Sequence, residues 1–60
     1  MNHPLPLLMV LVMVHQPFGS YAVLQRGLPE GHCQALAMRM NFDLQAAGVY
    51  DRRAECRHEE

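Results

Sequence analysis

The 60-residue chain has no lysine, isoleucine, threonine or tryptophan, and its one serine is Ser20. Arginine without lysine, together with the missing isoleucine, reads as a trace of GC-rich coding and carries no structural meaning. The shortage of hydroxyl groups does have consequences. No Asn-x-Ser/Thr sequon exists, and no serine sits in a Gly-x-Ser-x-Gly elbow that would expose a nucleophile. Gly27 and Gly31 are isolated, so no phosphate-cradling loop is present. There is no Cys-x-x-Cys pair. Basic excess is also missing: a formal net charge of −1 leaves no electrostatic footprint for nucleic acid. A chain this short holds one domain at most, and its core is too small to wall a deep substrate cleft. The composition therefore points away from an enzyme.

Charge is absent from one part of the chain. Every Asp, Glu and Arg lies at or after Arg26. Within the uncharged part, residues 5–14 read LPLLMVLVMV. As a helix this run spans about 15 Å, half of a bilayer's hydrocarbon core of roughly 30 Å. That length suits the apolar core of a signal peptide better than a full membrane span. His15-Gln16-Pro17-Phe18-Gly19 follows, polar and carrying two helix breakers. Ser20-Tyr21-Ala22 then places small side chains three residues and one residue before a cleavage point. The expectation is an apolar targeting helix in residues 1–22, cleaved after Ala22, ahead of a domain in residues 23–60. The basic residues that usually open such a segment are missing from residues 1–4. The alternative is an uncleaved single-span anchor over residues 4–24, interrupted by His15, Gln16, Pro17 and Gly19.

The charged part carries clearer local signals. Residues 21–26 (YAVLQR) read as a short strand ending at Gly27, and residues 26–31 as a loop punctuated by Gly and Pro. From about residue 32 to 47, Cys33, Leu36, Ala37, Met40, Leu44 and Ala47 form one stripe of a helix. Gly48 stands where a left-handed residue ends such a helix. Met38 and Phe42 lie off the stripe and form the candidate interaction surface. Residues 49–57 (VYDRRAECR) read as a second strand with Tyr50, Arg52, Ala54 and Cys56 on one face. Arg52 does not suit a buried face, which implies a bulge or a later start near Arg53.

The two cysteines tie these elements together. A helix from Cys33 to Ala47 rises about 21 Å. A strand from Val49 back to Cys56 covers about 23 Å. The near match brings Cys56 beside the start of the helix and predicts a Cys33–Cys56 disulfide, which export would permit. The expected fold class is an α/β mini-domain: a β-α-β unit with parallel strands and a right-handed crossover, pinned by one disulfide. Closing the loop contributes roughly 3 kcal/mol in the chain-entropy account. Two strands and one helix are marginal alone, so a homodimer is compatible with the pattern. Two rival uses of the cysteines exist. Cys33 near a helix N-terminus has the placement of a reactive thiol. His32, Cys33, Cys56 and His58 supply a zinc-type donor set, although their spacing departs from that of paired ligands. The simplest reading of His3, His15, His32 and His58 is four surface histidines.

An apolar leader, Val23-Leu24-Gln25, Cys33 opening an Ala-rich helix, Gly48, and Ala54-Glu55-Cys56 near the end together resemble a loose group of small exported bacterial or prophage-encoded two-cysteine proteins. The resemblance implies export to the periplasm or beyond and brings no catalytic or binding residues. The functional expectation is a non-enzymatic protein-interaction module without cofactor or metal, its protein partner unidentified. A single-span membrane protein modulating a larger complex and a thiol- or metal-handling protein are the alternatives.

Overall fold

The computed structural model describes residues 8–59. In chain order these form β1 (Leu8–His15), β2 (Ser20–Pro29), α1 (Glu30–Ala46) and β3 (Arg52–His58). The strands make one sheet in the order β2-β1-β3, and β1 is antiparallel to both neighbours.

This corrects the expected fold class. The protein is not a β-α-β unit behind an apolar targeting helix but a β-β-α-β fold on a three-stranded antiparallel sheet. Residues 8–22, assigned to the leader, form β1, the turn and the start of β2. The expected helix therefore does not exist over residues 8–22, and residues 1–7 lie outside the described part. β2 and β3 do point the same way, being both antiparallel to β1, but they never pair with each other because β1 lies between them.

The physical reason is written in β1 itself. In a strand, successive side chains point to opposite faces. Met9, Leu11 and Met13 therefore face α1, and Val10, Val12 and Val14 face the other way. A central strand buried on both faces is apolar throughout, so it shows no polar alternation and reads like a short apolar helix. β-Branched valine at every second position suits the strand. The turn at residues 16–19 reverses the chain; Gly19, at φ +73°, donates its N–H to the His15 carbonyl at 2.9 Å.

β2 breaks regular alternation twice. Its register against β1 shifts between Met9 and Leu11 and again between Leu11 and Val12. Leu24 is the extra residue in one bulge, and Arg26-Gly27 face the single Val10 in the other, with Gly27 at φ +70°. The second bulge returns Leu28 to the helix side, where it is buried opposite Met9.

α1 begins at Glu30, whose charge suits the positive helix start, straight after Pro29. It ends in a Schellman-type cap. Val49 N–H donates to the Leu44 carbonyl at 2.8 Å, and Gly48 N–H to that of Gln45 at 3.0 Å. Gly48 has φ +74°, the left-handed conformation read from the sequence. The core between α1 and the sheet consists of Met9, Leu11, Leu28, Cys33, Ala37 and Ala54.

Candidate interaction surfaces

Two devices fix α1 on the sheet. The first is the Cys33–Cys56 disulfide, which joins the first turns of α1 to the far part of β3 with the Cα atoms 6.0 Å apart. Cys33 is wholly buried. Both thiols are consumed by this bond, so neither the reactive-thiol reading of Cys33 nor a zinc set using both sulfurs fits the oxidised protein. Among the described residues, no three His, Cys, Asp or Glu side chains come together as metal ligands. A structural disulfide is the mark of a chain that matures outside the reducing cytoplasm. Among the described residues no helix is long and apolar enough to cross a membrane.

The second device is Asn41, which the sequence reading passed over. Its side-chain amide donates to the Ala54 carbonyl at 2.9 Å, and its side-chain oxygen accepts from the Ala54 N–H at 2.7 Å. Ala54 sits on an edge strand, where backbone groups on the outer side have no ladder partner. Asn41 supplies that partner and covers the edge at this point. Only the observed register of β3 reveals this; a mid-helix Asn gives no sign of it in the sequence.

With α1 fixed by its inner stripe, its outer side is held in solvent. Met38 is 73% exposed and Phe42 72% exposed, one turn apart on the outer side. Neither belongs to the buried core, and both lie off the packed stripe; Met38 borders the groove between α1 and β3 that Ala37, Ala54 and Cys56 also line. The remaining aromatics, Phe18, Tyr21 and Tyr50, are exposed too, and no aromatic ring contributes to the core. Aromatic side chains are normally the largest contributors to burial. The apolar contribution of these rings to the fold is therefore small.

The face of the sheet away from α1 is built differently. Val10, Val12 and Val14 line its centre, with Arg57, Glu55 and Arg53 opposite them on β3. Tyr21 and Val23 stand opposite Val14 and Val12 on β2. The Arg57 guanidinium lies 4.5 Å from the centre of the Tyr21 ring. This diagonal contact crosses β1 and explains why Val12 is only 1% exposed without an element above it. Arg57 and Arg53 also approach the Glu55 carboxylate at 3.4 and 3.6 Å. At the turn end of the sheet, the Arg52 guanidinium beside Asp51 holds that carboxyl below its ordinary pKa. β3 starts at Arg52 and pairs with β1 without a bulge, so Arg52 shares the face of Ala54 and Cys56 but stands exposed at the strand's start, while Tyr50 lies before the strand and is exposed.

Comparison with protein-family models, with curated proteins and with solved structures finds no match to this chain.

Proposed function

We propose that the chain is a small exported protein-interaction module without enzymatic activity, acting in the periplasm or as a secreted protein. It presents the outer side of α1, with Met38 and Phe42 as anchors, to a protein partner. One observation carries this reading: two large apolar side chains are held in solvent on a helix that the disulfide and Asn41 prevent from turning them inward. Large apolar side chains on a rigid element make effective anchors, because little conformational freedom is lost when they are covered.

In this proposal residues 8–22 stay with the working protein. Cleavage after Ala22 would cut β2 and remove β1. β2 and β3 each form a strand ladder only with β1, so the remainder would keep a helix and two strands with no ladder between them.

The test is photo-cross-linking in the native host. A photoreactive residue is placed at Met38, at Phe42 or at the exposed Glu30. The expected result is one shared protein adduct from positions 38 and 42 and none from position 30. Equal labelling at all positions, or no protein adduct from positions 38 and 42, would overturn the assignment.

A further inference from the structure

We infer that two copies of this chain pair edge to edge through β2, antiparallel about a twofold axis at Ala22, and so build one six-stranded sheet. The two edges of the single sheet differ. On β3, Asn41 occupies the outward N–H and C=O of Ala54, and Arg52, Arg53, Glu55 and Arg57 supply charge. Caps and charges of this kind guard an edge against further pairing. The first part of β2 has neither. Residues 20–25 (SYAVLQ) carry no charge and no proline. Among the described residues, no side chain bonds to their backbone.

The register shows which groups are open. Backbone groups alternate sides along a strand. Ala54 turns outward to Asn41, so Arg53 and Glu55 turn inward to Val14 and Val12. β1 then meets β2 with His15 and Met13, whose partners are Ser20 and Ala22. Tyr21 and Val23 therefore direct their N–H and C=O groups away from the sheet. A twofold axis at Ala22 sets Tyr21 opposite the partner's Val23, and Val23 opposite the partner's Tyr21. Each pair exchanges two backbone hydrogen bonds and brings an aromatic ring beside a β-branched side chain. Ala22 meets its own copy at the closest approach, where a small side chain fits.

A knob and a hole on this same chain select a second copy as the occupant. Asn41 marks the β3 flank of α1, so Met40, Asp43 and Ala47 take the other flank, toward β2. There a cavity of about 280 Å³ lies between Met13, Met40, Asp43, Leu44 and Ala47. Leu24 follows Val23, which belongs to the valine face, and so projects on the helix side, where it is 46% exposed. The twofold axis puts the partner's Leu24 opposite Ser20, about 10 Å from β1. Only the small side chains of Ser20 and Ala22 stand between it and the cavity. One symmetry operation fills both cavities, as an isologous contact requires. Charge does not oppose it: the two Arg26 residues lie roughly 26 Å apart along the strands. The contact is one strand deep and falls short of the roughly 800 Å² per partner of a standard interface, so the dimer forms only at high concentration.

The experiment uses the full, oxidised chain in sedimentation equilibrium from about 10 µM to about 1 mM, the range of weak, small interfaces. Amide exchange is measured at both ends of that range. The expected result is a monomer–dimer equilibrium, with the Tyr21 and Val23 amides gaining protection as the dimer forms and the Ala54 amide unchanged. Ala22→Lys opposes two charges at the axis and should weaken the dimer by about tenfold or more. Leu24→Ala empties both cavities and should weaken it by about tenfold. Both variants should melt like the parent at the low concentration, since both positions are exposed in the monomer. Met38→Ser, on the outer side of α1, should leave the dimer unchanged. A chain monomeric throughout, or a dimer sensitive to M38S and indifferent to A22K, would overturn the pairing. Tyr21 and Val23 amides protected only in a complex with a different protein would give the edge to another occupant and equally overturn it.

Discussion

The two faces of β1 are covered in opposite ways. Met9, Leu11 and Met13 meet a helix locked down by a disulfide and an amide clamp. Val10, Val12 and Val14 meet only the side chains of the neighbouring strands, above all Arg57 reaching to Tyr21. Both sets are largely shielded from water, yet one shield is a covalently tethered element and the other is a pair of movable side chains. The helix face is therefore built for stability. The valine face is shielded only by side chains of its own sheet.

The comparison can be broken most strongly at the tether. Replacing both cysteines by serine should cost about 3–4 kcal/mol, because the unfolded chain regains loop entropy and the buried Cys33 position becomes polar. Thermal unfolding followed by circular dichroism should show the fold lost or nearly lost at 37 °C. The two faces should then separate under equivalent truncations. Leu11→Ala, on the helix side, should cost about 3 kcal/mol. Val14→Ala, on the open side, should cost about 1 kcal/mol, since neighbouring side chains can settle into the space. Chemical denaturation measures both; equal losses would erase the distinction. Asn41→Ala should cost about 1–2 kcal/mol and raise hydrogen exchange at the Ala54 amide, which loses its acceptor. The smallest effect belongs to Arg57→Gln. It should change stability by about 0.5–1 kcal/mol while increasing dye binding to the exposed valines.

The sequence revealed some of this and concealed the rest for identifiable reasons. α1 was legible from its stripe, and its end from Gly48, because both are local signals. The Cys33–Cys56 bond was legible because a helix and a returning strand of matched length bring the residues together. β1 was misread because Met9 to Val14 is apolar at every position, and periodicity then cannot separate a strand from a helix. The turn residues after it and the alternating valines were the signals that favoured a strand. β2 was read short because its bulges at Leu24 and Arg26-Gly27 interrupt the alternation. Asn41 and the valine face depend on strand order and register, which no single segment encodes.

The central claim is that residues 8–22 belong to the folded, disulfide-bonded protein. It is tested most directly by the intact mass of the protein recovered from the exported fraction, with and without reductant. The account predicts a chain that still carries residues 8–22 and weighs two hydrogens less before reduction, from the one Cys33–Cys56 bond. A product beginning at Val23, or a full chain with both thiols free, would contradict it.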